Sequence, residues 1–272
     1  MAVGTTLTVA GVRARRRRLR GLAAATAALA LWASCSARVA PDVGPRDGVS
    51  ADGPGRLSAR PGTLTEPAPP SGVHRLGLGT GRDGLVYVPA GHQPERPAPL
   101  VVMLHGAGGN SSHGLDLIRA LADDAGLLVV APESRAGTWD VITGGYGEDV
   151  AFIDRALRQV FRRHAVDPAR VAVGGFSDGA SYALSLGLTN GDLFSHVIAF
   201  SPGFASPAER HGSPRLFVSH GTQDSVLPIS STSRRIVPRM ERDGYDVRYR
   251  EFDGPHAVPP EIAREALTWF LG

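Results

Sequence analysis

The chain has 272 residues, enough for one large domain or two small ones with a substantial hydrophobic core. Hydrophobic residues make up 42% and charged residues 20%, which excludes disorder throughout and collagen-like repeats. The net charge of +3 comes from six arginines between positions 13 and 20, and the first acidic residue is Asp42. Without those six charges the rest carries −3, so the sequence lacks the basic footprint of a nucleic-acid-binding protein.

Residues 1–35 have the pattern of a signal peptide. An arginine-rich region ends at Arg20, and the apolar stretch that follows, residues 21–34, is shorter than the roughly 20 residues that cross a bilayer. The stretch ends at Ala33-Ser34-Cys35-Ser36, which resembles a bacterial lipobox, although Trp32 stands where that motif prefers leucine. Cys35 is the only cysteine, so it has no disulfide partner within the chain.

These features predict an exported protein that is anchored to a membrane by a lipid on Cys35, at the cell surface or in the periplasm. The alternative is an ordinary cleaved secretory signal with a stray cysteine. Export through the general or the twin-arginine route stays open. Residues 36–71 are rich in Pro, Gly, Ser and Asp and have no periodic apolar pattern, so we expect a flexible tether there.

Residues 72–272 alternate between short apolar runs, typical of strands, and stretches with helical spacing of apolar residues. The predicted elements are, in chain order, a hairpin closed by Leu85–Val88, strand Leu100–Leu104, a helix near Gly114–Asp124, strand Leu127–Val130, helix Asp149–His164, strand Val171–Val173, a helix from Asp178 to about Leu188, strands His196–Phe200, Leu216–Val218 and Asp246–Phe252, and a helix from about Pro260 to Leu271. This alternation predicts one α/β domain with a mainly parallel sheet and helices on both faces. No insertion is long enough for a lid domain.

Gly175-Phe176-Ser177-Asp178-Gly179 is a G-x-S-x-G motif that directly follows a predicted strand and opens a predicted helix. In that context the serine sits on a sharp turn with its hydroxyl raised above the sheet, which predicts a nucleophile. The competing interpretation is a tight turn whose serine only caps the helix.

A nucleophilic serine needs a base and a carboxylate. In folds with a G-x-S-x-G turn between a strand and a helix, both follow the serine in the chain. His256 lies between the last strand and the last helix, where the base is expected, and Asp224 follows the strand Leu216–Val218, where the acid is expected. His220 competes for the role of base, but its position in the loop of the acid predicts a structural role. The rival carboxylates are Asp253, Glu241, Asp243 and Asp246.

His105-Gly106-Ala107-Gly108-Gly109 follows the first buried strand, where the backbone of Ala107 could donate to an oxyanion together with the backbone N–H of Asp178. A dinucleotide-binding loop is rejected, because G-x-G-x-x-G is not present here. We find no ligand spacing for a metal and predict neither a metal nor a cofactor.

Together these motifs, with Glu148–Ile153 and Gly254-Pro255-His256, resemble the serine α/β-hydrolases, nearest to their phospholipase/carboxylesterase branch. Polyester depolymerases and feruloyl esterases share a similar layout. The resemblance implies an α/β-hydrolase fold, with Ser177 as nucleophile, Asp224 as acid, His256 as base, and Ala107 and Asp178 as backbone donors. It departs from that branch at Asp178, where glutamine is common, and a carboxylate there could disfavour anionic substrates.

The sequence therefore predicts a hydrolase of small-molecule carboxylic esters that works through an acyl-enzyme. Trp139, Tyr146 and Phe204 are weak candidates for residues that line the substrate, and ordinary loop packing is an equal alternative for them. An acyltransferase or peptidase with the same triad, and a non-catalytic surface-binding lipoprotein with a hydrolase shell, stay open. The oligomeric state is not predicted.

Overall fold

The computed structural model describes residues 53–79 and 81–272, and within them an eight-stranded sheet is flanked by seven helices. The strands are β1 Gly72–Arg75, β2 Gly84–Val88, β3 Ala98–Leu104, β4 Leu128–Pro132, β5 Val166–Phe176, β6 His196–Phe200, β7 Arg215–Gly221 and β8 Val247–Phe252. The helices are α1 Ser111–Asp116, α2 Arg119–Ala122, α3 Asp140–Thr143, α4 Glu148–Arg163, α5 Asp178–Thr189, α6 Ser233–Arg242 and α7 Pro260–Leu271.

The strand order is β1-β2-β4-β3-β5-β6-β7-β8. From β4 to β8 every neighbouring pair is parallel, whereas β1–β2 and β2–β4 are antiparallel. The predicted mainly parallel sheet is confirmed. Because parallel strands end at the same edge, the loops after β3, β5, β7 and β8 emerge on one side of the domain.

Two hydrophobic clusters lie on opposite faces of the sheet, because side chains alternate between the faces along each strand. Val102 and Val173 belong to one cluster, which also contains apolar residues of α4, α5 and α6. Val101 and Ala172 belong to the other, with residues of α1, α2 and α7. The prediction of helices on both faces is confirmed, and the β6–β7 connection, residues 201–214, is an irregular loop rather than a lid domain.

Three predicted elements differ in the structure. The helix expected near Gly114–Asp124 is instead two short helices, α1 and α2. The strand expected at Val171–Val173 extends over the whole of β5. Helix α6 is not among the predicted elements, since Pro238 and several arginines interrupt its sequence pattern, but its Ile236, Val237 and Met240 are buried in the core.

The described part of the predicted tether, residues 53–71, packs against the domain instead of hanging free. Leu57 is buried, and its backbone N–H donates to Asn190 Oδ1 at 2.8 Å, while Asn190 Nδ2 donates back to the carbonyl of Gly55 at 2.8 Å. Further along, Asp154 Oδ1 accepts the backbone N–H of Ala59 at 2.7 Å. The segment forms no helix over this stretch, so its order comes from these side-chain acceptors, which composition cannot reveal.

The predicted signal peptide, residues 1–35, and Cys35 lie outside the described residues. Within the part of the chain that is described, no helix is long and apolar enough to cross a membrane.

Replacing Leu57 by alanine is expected to lower the free energy of unfolding by about 2–4 kcal/mol, because a fully buried leucine leaves a cavity. Urea unfolding of the purified protein measures this loss. Thr63→Ala, an exposed position in the same segment, is the control and should change stability by less than about 0.5 kcal/mol. Equal stability of the Leu57 variant and the parent would show that this segment does not contribute to the fold.

Candidate active site

Ser177 forms a sharp turn between β5 and α5. Its backbone has φ 57° and ψ −118°, a conformation that L residues rarely adopt and that a rigid surrounding must enforce. The surrounding is tight, since a Cβ on Gly175 would lie 2.5 Å from the Gly179 backbone. A Cβ on Gly179 would lie 2.4 Å from the carbonyl oxygen of Leu104. Both glycines of the G-x-S-x-G motif are therefore required by backbone contacts.

The side chains of Ser177, His256 and Asp224 meet at the carboxyl edge of the sheet. The Ser177 hydroxyl donates to His256 Nε2 at 2.9 Å, and His256 Nδ1 donates to Asp224 Oδ2 at 2.6 Å. The loop after β7 supplies Asp224 and the loop after β8 supplies His256. The structure thus joins a hydroxyl, an imidazole and a carboxylate from three distant parts of the chain.

Asp224 is buried, and its oxygens are well supplied with donors. Oδ1 accepts the backbone N–H groups of Val226 at 2.9 Å and Leu227 at 2.8 Å. Burial alone would raise the pKa of Asp224, but the hydrogen bonds from Leu227 and His256 outweigh it, so the pKa lies below its ordinary value. The group in contact with His256 is therefore a carboxylate anion at neutral pH.

His220, expected to be structural, is a second imidazole on the same carboxylate. Its side chain is fully buried, and Nε2 lies 3.1 Å from Asp224 Oδ2 and 2.8 Å from the carbonyl of Leu227. Its Nδ1 accepts from the hydroxyl of Ser233 at 2.7 Å. Because both neighbours of Nε2 are acceptors, Nε2 carries the proton. Burial lowers the pKa of His220, so it is neutral at neutral pH.

The loop after β3 approaches the serine from the other side. A Cβ on Gly106 would lie 3.4 Å from Ser177 Cβ, and the next residue, Ala107, is exposed to solvent. Asp178 is the first residue of α5, so its backbone N–H has no acceptor within the helix. The helix N-terminus also favours negative charge at this point.

Residues 134–139 hold this loop in place. Ser134 N donates to His105 Nε2 at 3.1 Å, Trp139 Nε1 donates to the carbonyl of His105 at 2.8 Å, and Gly108 N donates to the carbonyl of Gly137 at 2.7 Å. The hydroxyl of Thr138 donates to the Asp178 carboxylate at 2.6 Å. One segment therefore contacts both the loop after β3 and the start of α5.

Comparison with known proteins agrees with this geometry. The family model described as Phospholipase/Carboxylesterase matches residues 148–259. The structure is also similar to the crystal structure of esterase PE8, with 25% identity, a TM-score of 0.53, and coverage of 64% of this chain and 94% of that one. The chain has an α/β-hydrolase fold, and residues 148–259 are similar to the phospholipase/carboxylesterase family.

Feruloyl esterases are among the relatives of this α/β-hydrolase. Feruloyl esterase C of Emericella nidulans is 30% identical over 178 residues, which cover 62% of this chain and 63% of that protein. The chain thus spans somewhat less than two thirds of that relative. The ferulic acid esterase AmCE1/Fae1A of Anaeromyces mucronatus, solved with ferulic acid, shares 16% identity with a TM-score of 0.55 over 83% of this chain and 96% of that one, which shows the fold alone.

Two of the three aromatic candidates for substrate contact make contacts within the protein. Trp139 is fully buried, and its ring stacks on Tyr182 at 5.2 Å between centroids, so it packs in the core and offers no surface to a substrate. Tyr146 donates its hydroxyl to the carbonyl of Ser206 at 2.8 Å. Phe204 is half-buried in the loop after β6.

The rival carboxylates lie in other contacts. Asp253 Oδ1 accepts from Gln223 Nε2 at 2.6 Å, while Asp243 pairs with Arg210 and Asp246 pairs with Arg215. Glu241 is exposed on α6. Within residues 53–79 and 81–272, no group of three or more His, Cys, Asp or Glu side chains could hold a metal ion.

A row of hydroxyls along α5, not singled out from the sequence, fastens the loop after β6. Ser181, Ser185 and Thr189 are spaced four residues apart, and each hydroxyl donates to the carbonyl four residues earlier in the helix. The same three hydroxyls accept the backbone N–H groups of residues 203, 206 and 208. The i, i+4 spacing of small hydroxyl residues on a buried helix is a signal that a sequence search could use.

Asp149, whose carboxylate contacts the backbone of residues 134–139, is buried. Asp149 Oδ1 accepts from the backbone of Arg135 at 2.6 Å and Oδ2 from that of Asp140 at 2.7 Å. Burial, together with the neighbouring Asp140, raises the pKa of Asp149 to about 6. Asp149 therefore anchors the segment through backbone donors, although its charge is costly there.

Adding a methyl group at Gly175 or Gly179 is expected to destabilise the protein by about 2–4 kcal/mol, since the new Cβ would overlap backbone atoms that cannot move away. Thermal and urea unfolding of the alanine variants measure the loss. Gly137→Ala is the matched control, because a Cβ there meets nothing within 4 Å. If the three variants were equally stable, close backbone contact would not explain the motif.

Proposed function

We propose that this protein hydrolyses carboxylic esters, with Ser177 as nucleophile, His256 as general base and acid, and Asp224 as the group that orients His256. The observation that carries the proposal is the continuous hydrogen-bond chain from Ser177 Oγ through His256 to Asp224. A serine hydroxyl is a weak nucleophile, and an imidazole that accepts its proton makes attack on a carbonyl feasible at neutral pH.

The reaction runs in two halves. Ser177 Oγ attacks the ester carbonyl while His256 Nε2 takes the hydroxyl proton, and the resulting tetrahedral oxyanion is bound by the backbone N–H groups of Ala107 and Asp178. His256 then gives the proton to the leaving alcohol, which leaves an acyl group on Ser177. A water molecule, deprotonated by His256, attacks the acyl-enzyme, and His256 returns that proton to Ser177 Oγ as the acid leaves.

The relatives support the choice of esters over other acyl compounds. Their names include feruloyl esterases and a bifunctional acetylxylan esterase/xylanase of Neocallimastix patriciarum, which is 31% identical over 55% of this chain and 22% of its own length. We therefore propose esters of small acyl groups as substrates and include acetyl and feruloyl esters in the panel used to test the activity.

Ser177→Ala and His256→Ala are expected to lower kcat for p-nitrophenyl acetate by at least about 10³-fold, because each removes a member of one catalytic unit. Release of p-nitrophenol, with p-nitrophenyl butyrate and methyl ferulate in parallel, measures the activity. His74→Ala, on β1 at the far edge of the sheet, is the control and should retain full activity. Equal rates in all four proteins would refute the triad, as would failure of a fluorophosphonate to label Ser177.

We also propose that the protein is exported and anchored by a lipid on Cys35. This proposal rests on the sequence alone, on the arginine-rich start, the short apolar stretch and the single cysteine after Ala33-Ser34. Mass spectrometry of the mature N-terminus is expected to find Cys35 as the first residue, carrying acyl chains. Cys35→Ala should move the protein from the membrane fraction to the soluble one. An unmodified N-terminus at another residue would contradict the anchor.

A further inference from the structure

Asp224 and His220 lie in contact, and each also has other hydrogen-bond partners. Asp224 Oδ1 is held by two backbone N–H groups, and His220 Nε2 lies closer to the carbonyl of Leu227, at 2.8 Å, than to the carboxylate, at 3.1 Å. The contact nevertheless falls on Oδ2, the same oxygen that accepts from His256. Two imidazoles therefore share one carboxylate oxygen.

We propose that His220 is a positioning residue of the esterase, whose Nε2–H fixes Asp224 Oδ2 and limits how strongly that oxygen attracts the proton on His256. The inference rests on the proposed function, because it concerns the same catalytic chain. A donor that cannot itself lose its proton near neutral pH withdraws charge from the carboxylate. The carboxylate then orients His256 without making it too basic to release the proton to the leaving group.

Ser233 helps to keep the ring proton of His220 on Nε2. Its hydroxyl lies 2.7 Å from His220 Nδ1 and must donate there, because the ring proton is on Nε2. The Ser233 hydroxyl therefore donates to His220 Nδ1, and His220 Nε2–H donates to the carbonyl of Leu227 at 2.8 Å while Asp224 Oδ2 lies 3.1 Å from the same nitrogen. Ser233 is the first residue of α6 and is buried, so this arrangement is built into the packing of the helix against β7.

The other charged groups near His220 form a neutral pair. Glu251 of β8 stands opposite His220 in the sheet register, and it accepts two hydrogen bonds from Arg234 of α6, at 2.8 and 2.7 Å. Asp253, in the loop after β8, is engaged with Gln223. The pKa of His220 is thus governed by burial, by Leu227 and Asp224, and by the charge state of His256, which lowers it.

The test compares pH profiles of kcat/KM for His220→Leu, His220→Gln and Ser233→Ala. Leucine removes the donor, so we expect a fall in kcat of about 10-fold or more and an acid limb displaced upward by about half to one pH unit. Glutamine can place an amide N–H near the position of Nε2, so it should recover most of the rate and the native limb. Ser233→Ala keeps Nε2 and should change the limb less than leucine does.

A purely structural His220 predicts a different result. His220→Leu would then lower the melting temperature, but the active fraction, titrated with a fluorophosphonate, would show the native pH limb, and that outcome overturns the proposal. His74→Ala is the control for loss of a remote histidine. If the wild-type protein hydrolyses no ester in the panel, the proposed function fails first, and the kinetic test does not apply.

Nitrogen-15 NMR of the histidine rings in the native protein gives a second readout that does not depend on activity. We expect His220, identified by loss of its signals in His220→Gln, to be neutral with the proton on Nε2 from pH 8 down to neutral pH. A ring that carries its proton on Nδ1, or that becomes charged in this range, would overturn the assignment. If His220→Gln also fails to fold, Ser233→Ala identifies the same ring through the shift of its Nδ1 signal.

Discussion

The structure depends on how closely the start of α5 approaches the backbone of β3 and β5. Gly175 and Gly179 let the helix begin with its axis against the sheet, where a Cβ on Gly179 would meet the carbonyl of Leu104 at 2.4 Å. That approach forces Ser177 to φ 57° and sets its hydroxyl above the sheet edge. The same approach brings the N-terminus of α5 beside the loop after β3, so the positions of the proposed nucleophile and of the proposed oxyanion donors share one cause.

A helix packed this closely has little room for large side chains, and this constraint also affects the polar residues of α5. α5 is buried along almost its whole length, so its polar residues must find partners inside the protein. Ser181, Ser185 and Thr189 solve this by bonding both to their own helix and to the loop after β6. The packing of α5 thus also determines the path of the loop after β6.

The sequence is sufficient to predict which residues follow the ends of the parallel strands. The proximity of Ser177, His256 and Asp224 could be expected because parallel strands end at one edge, a rule that needs no knowledge of distances. The burial of Trp139 and the packing of Leu57 could not be predicted in this way. Both lie in irregular segments whose order comes from single acceptors elsewhere in the chain, His105 and Asn190, and such pairs leave no periodic pattern.

Close backbone contact also joins the loop that carries Asp224 to the loop that carries His256. A Cβ on Gly221 would lie 2.3 Å from the carbonyl oxygens of Gly254 and Pro255, so the loop after β7 rests directly on the loop that carries His256. Asp224 follows in a turn closed by its own N–H to the carbonyl of Gly221 at 3.2 Å, which brings its carboxylate back over His220. The 2.6 Å contact between Asp224 and His256 therefore depends on two backbones in contact, and a larger residue at position 221 would separate the two side chains without touching either of them.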